Sequence, residues 1–192
     1  MLVIFSAILC GYPLNKVLPL AAGVKFLFWG NVLHRRAILG SGSKIRSRLL
    51  WGDYCYGALF YLLAEEDLRC CLAPLAQVVK VHCETPFIPS GREPGAAREV
   101  LALLGGKSCY LPALLAGKKH WEKDLYNFGF AFGQAHALLL SKGMTAEVER
   151  ILAEARSYLA SLPEGEGKEG LERLLESLLL ISTQSKECSE AR

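Results

Sequence analysis

The chain has 192 residues, 52% of them apolar and 21% charged, a balance that suits one folded domain with a substantial core and excludes intrinsic disorder. Its formal net charge of +3 is too small to argue by itself for a nucleic-acid partner. Seven cysteines, an odd number with no CxxC pair, argue against a zinc ribbon or a disulfide scaffold and fit free thiols in a reducing cytoplasm.

The opening MLVIFSAILC resembles the apolar core of a signal peptide, but it lacks a basic leader and a small residue just before Cys10. Next, VLPLAAGVKFLFWGNVL holds about a membrane span's worth of residues, interrupted by Lys25 near the middle. A buried helix explains the same composition, so no transmembrane segment is expected. VLHRRAILG and a GSGS turn at 40–43 follow. His34, Arg35, Arg36, Lys44, Arg46 and Arg48 fall within 15 positions and read either as a solvated loop or as an anion site. Asp53 reads as an N-cap opening YCYGALFYLLAEE, which is apolar nearly all round and predicts a central helix covered on every side.

Breaker-rich PFIPSGREPG at 86–95 predicts a boundary between two halves of a bundle. Lys107 and Ser108 follow two glycines but no strand, so they do not form a P-loop; they read as a helix start or a remnant anion site. His136 stands between two alanines on an apolar helix, with no second ligand spaced to pair with it. Thr145 predicts an N-cap for a stripe of Val148, Ile151, Leu152, Ala155 and Leu159. After the PEGEGKEG turn, Leu171, Leu174, Leu175, Leu178 and Leu179 form a second stripe, and the polar tail from 183 is expected to fray. The breakers delimit about seven helices, and no strand is supported.

The order of segments resembles the trans-prenyltransferase (polyprenyl diphosphate synthase) family. LPLAAGVKFLFWGNVLH followed by KIRSRLLWGDYCYGALFYLLAE is similar to the family's apolar helix ending in an aspartate-rich motif, then a helix that opens with a Gly-Asp pair, here Gly52 and Asp53. GGKSCYLPALLAG is similar to the family's Lys-Thr segment, with Lys107 and Ser108 at the matching places. LYNFGFAFGQAHALL resembles the helix leading to the second aspartate-rich motif and keeps Phe128, Gly129, Gly133 and Ala135. The resemblance spans roughly residues 1–180 and implies an all-α isoprenoid-synthase-type helical bundle at 1–182, truncated at both ends, with a polar tail at 183–192.

Departures from the family matter more than matches. Where the first motif would begin stand Arg35 and Arg36; where the second would fall stand Leu140, Ser141, Lys142, Gly143 and Met144. Prenyl transfer requires ionisation of an allylic diphosphate whose departing anion is neutralised by magnesium, a cation that wants oxygen ligands. Arginine offers only donors. The chain has three aspartates, Asp53, Asp67 and Asp124, none near another. The resemblance therefore implies a chain inactive alone, without metal or cofactor of its own, with Mg2+ expected only in a catalytic partner.

A member stripped of its metal motifs resembles the small subunit (component I) of heterodimeric heptaprenyl diphosphate synthases, which serve menaquinone side-chain synthesis. On that resemblance the partner is a catalytic polyprenyl diphosphate synthase subunit, or a second copy in a homodimer. Arg35, Arg36, Lys44, Arg46, Arg48, Lys107 and Ser108 are the candidate residues of a remnant site for an isoprenoid diphosphate. The alternative is a stand-alone divergent prenyl or terpene synthase-like protein. A third reading, a nucleic-acid or membrane-surface binder working through the basic loop, is disfavoured because the cluster is confined to one loop.

Overall fold

A computed structural model describes residues 1–38, 40, 42, 44–84 and 94–190; side chains at 94–97, 142, 179 and 181–190 fall outside that description. Among the described residues the chain forms eight α-helices and one 3-10 turn, one helix more than the sequence predicts, and no strand. The expected boundary at 86–95 lies almost wholly outside the described residues.

Helix α1 (Leu2–Cys10) stops at Gly11, whose φ of 68° is left-handed and lets Tyr12 N–H reach the Ala7 carbonyl at 2.9 Å. Helix α2 (Leu14–Ile38) and helix α3 (Lys44–Glu65) then run antiparallel. Their seam is set by small residues: a Cβ at Gly23 would meet Leu59, one at Gly30 would meet the Tyr56 ring, and one at Gly52 would strike His34. Helix α3 ends at a turn where Asp67 adopts φ 54°, a left-handed conformation that aspartate tolerates better than most residues. The 3-10 turn Arg69–Cys71 leads into α4 (Leu72–Glu84).

Helices α5 (Pro94–Leu115) and α6 (Lys119–Lys142) make the most extensive helix pair. Glycines permit it. A Cβ at Gly105 would collide with the Gly129 carbonyl, one at Gly129 with the Gly105 carbonyl, and one at Gly133 with the Leu101 carbonyl. Helix α7 (Ala146–Ala160) starts at Thr145, whose Oγ1 accepts from Val148 N–H at 3.3 Å, and it buries the five residues of its predicted stripe. Helix α8 (Glu166–Glu190) buries Leu171, Leu175 and Leu178. Its backbone stays helical through Glu190, into the stretch expected to fray; Leu179 lies outside the described side chains.

Two apolar cores result. One gathers α2, α3, the 3-10 turn and α4 around Leu20, Leu27, Leu59 and Leu75; the other gathers α6, α7 and α8 around Leu125, Phe128, Ile151 and Leu175. Helices α1 and α5 contribute to both, Val3 and Leu111 to the first, Cys10 and Cys109 to the second. Each fully buried leucine stabilises by about 1.5–3 kcal/mol relative to exposure. The six described free cysteines include four whose burial pushes the thiol up: Cys55, Cys10 to about 11, and Cys71 and Cys109 to about 12. Such thiols stay protonated and unreactive at neutral pH.

Candidate functional site

The polar end of the α2–α3 pair holds the residues that the sequence singles out first. Asn31 and His34 stand three apart on α2; Asp53 and Tyr56 stand three apart on α3, and each pair shares a helix face. His34 Nε2 lies 3.0 Å from Asp53 Oδ1, and the Tyr56 hydroxyl donates to Asn31 Oδ1 at 2.6 Å. The His34 ring also stacks obliquely on Tyr56 at 5.1 Å and meets the edge of His82 from α4 at 6.4 Å. Gly52 is buried so that this imidazole can lie across α3. The Gly-Asp pair thus does not open the helix. Asp53 sits in the middle of α3 and pairs with His34, so it is not the expected N-cap, because the helix already begins at Lys44.

Burial pushes the Tyr56 hydroxyl out of its ordinary range, and the nearby Cys83, Asp53 and Cys55 push the same way. Burial also lowers the His82 pKa, with His34 and Arg35 adding to the effect; burial alone lowers that of half-buried His136. A histidine lowered in the folded state binds fewer protons there than when unfolded. Stability is therefore complete above the ordinary histidine value of 6.5 and falls as pH drops through it. We expect the melting temperature to decline between about pH 7 and about pH 5, and His82→Gln to flatten the slope. An unchanged slope in that variant would contradict a buried neutral His82.

The basic cluster is helical, not a loop. Arg35 and Arg36 occupy the last turn of α2, where cations suit the negative end of the dipole. Arg48 Nη1 donates to the Arg36 carbonyl at 3.0 Å, satisfying one of the carbonyls that a helix end leaves open. Lys44 and Arg46 project from the first turns of α3 and are exposed. These five residues thus meet at one end of the α2–α3 pair.

Lys107 and Ser108 belong elsewhere, inside α5 and not at a helix start. Lys107 Nζ rests over Tyr110 at 5.7 Å and over Tyr126 of α6 at 5.3 Å, and burial lowers its pKa. Ser108 is buried, and its hydroxyl donates to the Leu104 carbonyl at 2.7 Å. Its proton is thus engaged by a carbonyl of its own helix.

Sequence reasoning missed two features. One is the coupling of Asn31, His34, Asp53, Tyr56 and His82, for which the paired three-residue spacings are the only advance signal. The other is the outer face of α3. Instead of being covered on every side, α3 leaves Leu50, Trp51, Tyr54 and Tyr61 more than 60% exposed along one stripe. Among the described residues α3 packs on α2 and touches the 3-10 turn, and its outer face is exposed.

No protein-family model and no curated protein matches the chain. Solved structures do. The helical architecture is the all-α isoprenoid-synthase fold. The chain is similar to a decaprenyl diphosphate synthase from Rhodobacter capsulatus (TM-score 0.76, 16% identity, 94% of this chain and 84% of that one). It is also similar to the geranyl diphosphate synthase small subunit from Antirrhinum majus (TM-score 0.74, 18% identity, 91% and 80%). A mint heterotetrameric geranyl pyrophosphate synthase deletion mutant in complex with ligands matches as well (TM-score 0.74, 16% identity, 91% and 80%).

Proposed function

We infer that the chain is a noncatalytic subunit that stabilises and tunes a catalytic trans-polyprenyl diphosphate synthase. The observation that carries this reading is the chemistry at the end of α2. Magnesium wants several hard oxygen ligands at near-octahedral geometry. Here the end of α2 presents His34, Arg35 and Arg36, and the carboxylate against them among the described residues, Asp53, lies 3.0 Å from His34 Nε2. Among the described residues no three His, Cys, Asp or Glu side chains converge to hold a metal ion. This donor set does not fit magnesium, so no ionisation step is assigned to this chain.

What the chain offers instead is surface. The Leu50, Trp51, Tyr54 and Tyr61 stripe has the aromatic composition of an interface centre, and among the described residues nothing covers α3 there. Similarity to a small subunit and to a heterotetrameric synthase supports reading that stripe as the seat of a motif-bearing partner. The heptaprenyl, menaquinone-directed heterodimer is the form we favour, working in the cytoplasm. Arg35, Arg36, Lys44, Arg46, Arg48 and Lys107 then serve at most as metal-free contacts to an isoprenoid diphosphate.

Co-expression with a catalytic polyprenyl diphosphate synthase subunit tests this. The purified pair is expected to extend labelled isopentenyl diphosphate at least about tenfold faster than the partner alone, the equivalent of about 1.4 kcal/mol in the barrier. A pair no faster than the partner alone would refute the subunit reading. Magnesium-dependent diphosphate release by the isolated chain would favour the stand-alone synthase instead.

A further inference from the structure

The exposed residues along the outer side of α2 include Leu14, Leu18, Lys25, Trp29 and Arg36. Their spacings of four, seven, four and seven residues place them on one stripe. The stripe interleaves apolar and cationic side chains and contains no acid. Neither does anything before Asp53: residues 1–52 carry seven Lys and Arg and not one Asp or Glu, a formal +7. From residue 53 onward, fifteen Lys and Arg stand against nineteen Asp and Glu, a formal −4. The small overall charge conceals a strong separation, and exposed Lys44 and Arg46 extend the positive side beyond the end of α2.

We propose that this face of α2 is an interfacial helix that lies on an anionic phospholipid surface. Leu14, Leu18 and Trp29 enter the boundary between headgroups and acyl chains, while Lys25 and Arg36 extend their aliphatic stems and keep their charges among the phosphates. Tryptophan suits that depth, because its ring is apolar and its N–H is polar. The helix lies on the bilayer and does not cross it. Although α2 is long and apolar enough to span by composition, a third of its most apolar stretch is buried inside the protein, and Lys25 falls near its midpoint. Nucleic acid would use the cations but has no role for Leu14 and Leu18. The lipid surface uses every residue of the stripe. This inference is independent of the α3 stripe and of the proposed subunit role.

The test uses the purified 192-residue chain and vesicles of phosphatidylcholine alone, or with about a third phosphatidylglycerol, at about 50 mM salt. We expect cosedimentation with the anionic vesicles only. In a Trp51→Phe/Trp121→Phe variant, the emission of the remaining Trp29 is expected to shift to the blue and to be quenched by brominated lipid. Lys25→Glu/Arg36→Glu should weaken vesicle binding by at least about tenfold while lowering the melting temperature by no more than a few degrees, for the cation lost from the α2 terminus. The proposal is overturned if the unmodified chain ignores anionic vesicles or if the double reversal binds as well as the parent. It is also overturned if Trp29 stays unquenched by brominated lipid in vesicles that the chain binds.

Discussion

Gly129→Leu is expected to lower the melting temperature of the isolated chain by roughly 8–16 °C, from a cost of about 4 kcal/mol. The reason is the character of the obstacle. At most core positions a larger side chain meets other side chains, which can change rotamer. At Gly129 even a Cβ runs into the carbonyl of Gly105 on the facing helix, and Gly105 meets the Gly129 carbonyl in return. Backbone cannot swing aside without moving α5 away from α6, and these two helices make the most extensive contact in the fold. The separation would open the core around Phe128 and Cys109, both fully buried. Thermal unfolding followed by circular dichroism checks this, with Gly57→Ala as the control. A Cβ at Gly57 meets nothing within 4 Å, so that variant should be as stable as the parent or more so by up to about 1 kcal/mol, the helix-propensity gain. A Gly129→Leu protein melting like the parent would mean that α5 and α6 do not approach as described.

The second large effect separates folding from assembly. Gly57 lies on the exposed side of α3 amid Leu50, Trp51, Tyr54 and Tyr61. Gly57→Lys should leave the isolated chain folded, because the new side chain projects into open space. In a complex that covers this stripe, the same lysine would be an unpaired cation at the centre of an apolar interface, a cost of several kcal/mol. We expect the dissociation constant for a catalytic polyprenyl diphosphate synthase subunit to rise at least about 100-fold, or about 2.7 kcal/mol. Titration calorimetry on the folded variant reads this directly. Affinity within about twofold of the parent would remove α3 from the interface.

The legibility of the sequence varied with the physical cause of each feature. Helices α7 and α8 were readable because their signals are local: a Thr145 cap and apolar residues at helical spacing. The ordered series of motifs carried the resemblance, and the fold agrees with it at identities where no single motif decides anything. What failed was positional. Gly52 and Asp53 look like the opening of a helix, yet Gly52 is a packing glycine whose missing side chain accommodates His34 from another helix. No local pattern encodes a contact between residues 18 positions apart. The paired glycines of α5 were misread for the same reason: Gly105 and Gly106 suggested a helix start, whereas they admit α6 and the Tyr126 ring. The all-apolar look of α3 predicted burial on every side, because composition does not say how many neighbours a helix will have.

At the end of α2 two helices meet, and small residues hold them close. A histidine, an asparagine and a tyrosine fill the space, with arginines tied to the helix terminus. Titrating the isolated chain with magnesium in the presence of a nonhydrolysable farnesyl diphosphate analogue tests this most directly. The account predicts that analogue binding, if measurable, is the same with magnesium or with EDTA. Tightening by tenfold or more on adding magnesium, abolished by Asp53→Asn, would contradict it by showing that the chain assembles a metal site of its own.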